Sequence, residues 1–139
     1  MNKLYESILK AGRMFARVLP LIFGTILLVS LIVTLIPKSF YLRIFQNNVF
    51  LDSIIGSAIG SVSAGNPLVS YILGGELLKQ GISLIAVTAF IVAWVTVGVV
   101  QLPAESIILG KKFAFARNIL SFVSSIIVAI TTVFILGVI

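Results

Sequence analysis

The side chains on which enzymes most often rely are missing from this sequence. It has no histidine and no cysteine, and its acids are Glu6, Asp52, Glu76 and Glu105 alone. Without imidazole the usual general base is gone, and the commonest transition-metal ligands go with it. No two acids stand close enough along the chain to suggest a catalytic carboxylate pair. No catalytic residue, metal or cofactor is therefore expected. What remains is hydrogen-bonding chemistry, and it gathers in residues 56–75, GSAIGSVSAGNPLVSYILGG, a stretch without formal charge.

Within that stretch Pro67 lacks an N–H and would clash with the carbonyl of Ser63, so an unbent helix cannot pass. Asn66 as N-cap with Pro67 at the first helical position is a helix-start signal. The spacing predicts two half-helices, roughly 52–64 and 67–80, meeting inside a membrane. A helix start offers unpaired N–H groups and partial positive charge. Freed backbone at membrane depth is tolerated where protein buries it or where it lines a watery cavity. On this reading Ser63, Gly65, Asn66, Pro67 and Ser70 line a solute path, with Tyr71 and Thr88 as further candidates. The plainer alternative is a kinked helix packed through Gly56 and Gly60, a small-x-x-x-small pair.

The elements that would hold this stretch are apolar. The chain has 139 residues, 60% of them hydrophobic and 10% charged. Soluble domains carry about 25% charged residues, so the composition indicates a lipid environment. Residues 18–37, 53–75, 80–104 and 118–139 are free of charge. Each reaches the roughly 20 residues that an apolar helix needs to cross a bilayer. The net charge of +6 comes from Lys and Arg gathered between these stretches, which fits headgroup anchoring better than nucleic acid. The expected fold is an all-α integral membrane protein of one domain, multi-pass in the cell membrane. Its segments are 18–37, 53–79 (broken or re-entrant), 82–102 and 118–139, preceded by an amphipathic helix at 1–17.

In that leading helix Lys3, Glu6, Lys10, Arg13 and Arg17 share one face, and Leu4, Ile8, Ala11 and Phe15 another. A helix lying in the cytoplasmic interface is expected. The apolar run after Arg17 exceeds a signal-peptide core of about 7–15 residues and no A-x-A-like site follows, so retention is expected. Residues 38–52 read as a loop, with Tyr41, Arg43 and Phe45 at headgroup level. Pro103 reads as the end of the third helix, opening a loop with Lys111, Lys112 and Arg117. Trp94, in mid-helix, reads as a packing residue or a cavity wall. Glu76, Glu105 and Arg117 are candidates for coupling or gating, or simple interfacial anchors.

Orientation depends on the broken element. If residues 53–79 cross, five Lys/Arg fall on each side and insertion in both orientations, giving an antiparallel dimer, is open. If they re-enter, seven fall on the N-terminal side and three on the other, which makes the N-terminus cytoplasmic.

Residues 60–90, above all GNPLVSYILGGELLKQGISLIAVTAF, resemble the predicted permeases that include the organoarsenical efflux permeases. Members have a Gly/Pro-interrupted element followed by a run matched here by Leu77, Leu78, Gly81, Ser83, Ala86, Ala89 and Phe90. The resemblance implies transport. Family exporters carry a Cys-containing motif near the break, where this chain has Ser63-Ala-Gly-Asn66-Pro67, so arsenic–thiolate chemistry is not implied. Those permeases have two related halves, which makes this chain similar to a half-size member that must self-associate. The expected function is a homo-oligomeric permease, at least dimeric, moving a small molecule or ion through the bilayer, with no nucleic-acid partner. A small oligomeric channel and a non-transporting scaffold subunit are the alternatives.

Overall fold

The structure, a computed structural model, describes residues 2–63 and 65–137. Ala64, expected at the end of the first half-helix, and residues 138–139 of the last expected segment lie outside the described residues, as does Met1. Among the described residues the chain forms seven helices and no strand: α1 (Asn2–Leu35), α2 (Lys38–Ile44), α3 (Val49–Val62), α4 (Pro67–Lys79), α5 (Leu84–Thr96), α6 (Leu102–Leu109) and α7 (Lys111–Ile135).

Helix α1 corrects the expected division at residue 17. The basic segment and the apolar segment form one helix of 34 residues, with Pro20 inside it. A helix tolerates that proline because neighbouring turns keep their own bonds while one is lost. From Lys3 to Arg17 every residue is exposed, so the Leu4–Ile8–Phe15 face packs on nothing in this chain. From Val18 onward one stripe turns inward through Ile22, Thr25, Val29, Ile32 and Ile36, the spacing of a helix lying along its neighbours. Helices α1 and α7 are long and apolar enough to cross a membrane, and α3 and α5 are shorter apolar helices. Exposed apolar residues such as Leu27, Leu31, Ile119, Leu120 and Ile127 cover the outside of the two long helices. A surface so apolar suits lipid rather than water.

Residues 38–52 are not a loop throughout. Pro37 sets an extended residue, α2 follows, and α3 begins at Val49 under an Asn48 cap that accepts from Phe50 and Leu51. Tyr41 is buried against Ile82, Ala86 and Val87. Burial raises its phenol pKa above the ordinary 10.0.

The centre of the bundle is α5. Helix α3 runs beside it in the same direction: Asp52 meets Ser83, Gly56 abuts Ala86, and Gly60 abuts Phe90. The approach is so close that a Cβ on Gly56 would lie 2.2 Å from the Ala86 carbonyl oxygen, and one on Gly60 2.3 Å from that of Phe90. Only bare backbone fits there, as in small-residue helix seams. Helix α4 returns along another side of α5, with Gly74 against Val87 and Ile91, and Leu77 against the Ile82–Ala86–Val87 cluster. Helix α7 runs opposite to α3 and α5. Ala129 and Val133 pack on Ile85 and Ala89, and the Ser57 and Ser125 hydroxyls share a buried hydrogen bond of 2.9 Å.

Candidate functional site

Two interruptions lie at one level of this bundle. The first separates α3 from α4. Helix α3 ends at Val62, with the Ser63 amide donating to Gly60 and the Ser63 hydroxyl donating 2.8 Å to the Ile59 carbonyl. Asn66 then caps α4, its side-chain oxygen accepting from the Leu68 amide at 3.0 Å, with Pro67 opening the helix. Gly65 stands between at φ +154°, a conformation that side-chain-bearing residues rarely adopt. Because α3 and α4 run in opposite directions along α5, the segment enters and leaves by the same end. Asp52, before the break, accepts a hydrogen bond of 2.7 Å from Ser83, which follows α4, and one of 3.1 Å from the Gln46 amide. Asp52 is fully buried.

The second interruption was not expected. The segment 82–102 is not one helix: α5 stops at Thr96, residues 97–101 are irregular, and Pro103 starts α6 rather than ending a helix. Pro in the first turn costs no intrahelical bond, which is why it sits there. Lys111, Lys112 and Arg117 correct the expectation likewise. They form the first two turns of α7 beyond a tight turn at Gly110, not a loop. The irregular segment is tied to α7 by the Gly98 amide, which donates to the Asn118 side-chain oxygen at 3.0 Å. Asn118 in turn donates to the Ala114 carbonyl at 3.0 Å and toward Glu105 at 3.4 Å. Arg117 pairs with the other Glu105 oxygen.

The two interruptions touch. Trp94, in the last turn of α5, points its indole N–H at the Gly65 carbonyl, 3.4 Å away, and sets its ring edge-on to Phe90 at 5.3 Å. Between them lies a cavity of about 60 Å³ bounded by Ser63, Gly65, Trp94, residues 95–101 and Arg117. Its wall is mainly polar, with Ser63, Thr96, Gln101 and Arg117 alternating with Val95, Val97, Val99 and Val100. Among the described residues no main-chain N–H donates to the carbonyls of Trp94, Val95 or Thr96. The Val97 amide goes to Ala93, that of Gly98 to Asn118, and that of Gln101 to Gly98.

Of the residues singled out by sequence, Ser63, Gly65, Trp94 and Arg117 border this cavity. Asn66 and Pro67 do not border it; they are exposed and cap and open α4. Ser70 is buried and donates to the Pro67 carbonyl at 2.7 Å, so it supports the break rather than lining it. Tyr71 is 60% exposed and faces outward. Thr88 bonds the Leu84 carbonyl two turns below the cavity. Glu76 pairs with Lys79 at 2.7 Å at the far end of α4, remote from both breaks. Glu105 reaches the site only through Arg117 and Asn118. Gly56 and Gly60 form the α3–α5 seam. Sequence reading overlooked Gly98, Gln101, Asn118 and Asp52. The one available signal was the irregular Gly98 followed by Gln101-x-Pro103, a start pattern read as a stop.

Compared with protein-family models, with curated proteins and with solved structures, the chain matches none.

Proposed function

We propose that this chain is an integral membrane permease that moves a small solute past the paired interruptions, working as a homo-oligomer. The observation that carries the reading is the meeting of two broken helices around one mainly polar cavity, inside a shell of exposed apolar side chains. Irregular backbone at membrane depth is stable where protein buries it or where it lines a wet cavity, and interrupted helices hold substrates in secondary transporters. Helix α7, at 25 residues, is about 37 Å long, and Asn118 lies about 10 Å from its start, within the span.

In this reading α1, the α5–α6 pair and α7 cross, while α3 and α4 re-enter. Lys3, Lys10, Arg13, Arg17, Lys111, Lys112 and Arg117 then share one side, against Lys38, Arg43 and Lys79 on the other. Such a bias supports a single orientation with the N-terminus cytoplasmic. It favours subunits inserted the same way over the antiparallel arrangement. Between α5 and α7 an outward groove of about 450 Å³ exposes Arg117, Ser121 and Ser124 among apolar residues. Polar groups facing lipid are costly, and a second subunit over this groove would cover them.

Osmotic swelling of proteoliposomes across a panel of small salts and neutral solutes tests the reading. Wild-type vesicles are expected to admit at least one solute with saturable kinetics. Vesicles carrying Asn66→Ala with Pro67→Ala should lose that flux with the protein still folded and inserted. Unsaturable flux would favour a channel, absence of flux from folded wild-type protein would favour a scaffold, and unchanged flux in the double variant would take the α3–α4 break out of the path.

A further inference from the structure

We propose that a second, apolar cavity between helices α1 to α5 binds a compact apolar molecule carrying one hydrogen-bond acceptor, a ketone or ester carbonyl. The site is separate from the polar cavity, and the inference stands whether or not the chain is a permease. The cavity holds about 170 Å³ and takes a wall from each of the five helices: Ile32 from α1, Tyr41 from α2, Ile59 from α3, Leu73 from α4 and Phe90 from α5. Its surface is almost wholly apolar, and Tyr41 is the one polar side chain that lines it. Tyr41 is only 8% exposed. Its hydroxyl is sealed from solvent and has no hydrogen-bond partner among the described residues.

A buried polar group left unpaired costs more than its hydrogen bond would have gained, and native structures rarely carry one. Water is a poor partner here. An internal water needs two to four polar groups to hold it, and this wall offers one hydroxyl. Apolar cavities of this kind stay dry, and an engineered one of about 150 Å³ takes up benzene. Burial lifts the phenol above its ordinary pKa, which keeps the proton on the oxygen. The hydroxyl is then a donor, and its partner must bring the acceptor. A charged ligand would meet no opposite charge, since no ionised side chain lines the cavity. Apolar walls with a single polar group are the usual design of a small-molecule pocket, the polar group fixing orientation. The same chemistry has two sources: a free ketone or ester, and the ester carbonyl with adjoining methylenes of a bilayer glycerolipid.

The full chain in maltoside micelles would be titrated with para-fluoroacetophenone and with its isostere para-fluoroisopropenylbenzene, in which a methylene replaces the carbonyl oxygen. Fluorine NMR follows each probe; uptake into micelles rises linearly, whereas occupancy of a site saturates. Saturable binding of the ketone to wild type is expected. Tyr41→Phe keeps the ring and removes the donor, and should lower the ratio of ketone to isostere affinity about fivefold. Ile32→Trp fills the cavity from α1 and should abolish saturable binding of both probes. Leu73→Phe fills it from α4 and serves if the first variant does not fold. Phosphorus analysis of the purified chain separates the sources. Phospholipid retained by wild type and released by a filling variant assigns the site to the bilayer, and ketone binding by lipid-free chain assigns it to a free solute. Three results would each overturn the assignment: neither saturable binding nor retained lipid in wild type, a ketone preference that Tyr41→Phe leaves intact, or a folded filling variant that binds like wild type.

Discussion

Between α3 and α4 the chain stops, turns and runs back, whereas between α5 and α6 it stops and runs on. The first interruption is assembled from its own residues: Asn66 supplies the cap, Pro67 the opening turn and Gly65 the backbone freedom. The second has no side-chain cap of its own. Gln101 caps nothing, and the loose amide of Gly98 is satisfied by Asn118, which belongs to α7. One break is written locally and the other is imposed by a neighbour. A break that depends on a neighbour moves when the neighbour moves, which makes the α5–α6 side the place where a shift of α7 would be felt.

This contrast can be broken at three positions, each read by unfolding in mixed detergent micelles. The largest effect is expected where both interruptions share a support, the α3–α5 seam. Gly60→Ala places a methyl against the Phe90 carbonyl, which as backbone cannot step aside, and should cost about 3 kcal/mol or more. Next comes Asn118→Ala. It strands the half-buried Gly98 amide and empties the buried Asn118 site, and should cost about 1–3 kcal/mol. Smallest is Asn66→Ala, which removes an exposed N-cap and should cost about 1 kcal/mol. If Asn66→Ala proved as damaging as Asn118→Ala, the distinction between a self-made and an imposed break would collapse.

The same distinction explains what could be read from sequence. Asn66-Pro67 announced the first interruption because cap and proline act within one turn. The second was harder to see, since α5 ends in Trp94-Val95-Thr96 with only Gly98 and Pro103 nearby to mark a stop, and the tie lies twenty residues on, at Asn118. Pro103 misled for a related reason: a proline marks a helix boundary without saying on which side the helix lies. The all-helical class followed from composition, yet the unbroken α1 and the short α2 did not. Lys38 to Ile44 became helical because the Tyr41 ring found cover against residues of the α5 region, a contact no local pattern encodes. Asp52 looked like a boundary charge because its partner Ser83 is 31 residues away.

That partnership between Asp52 and Ser83 bears on the order of assembly. Helices of 14 and 13 residues are each too short to cross a bilayer of about 30 Å. The glycine seam of α3 has nothing to seal it, and the Asp52 carboxylate lacks its Ser83 donor, until the following helix has been synthesised. The middle of the chain is therefore made early and seated late: its glycine seam and its Asp52–Ser83 bond close only once α5 is present.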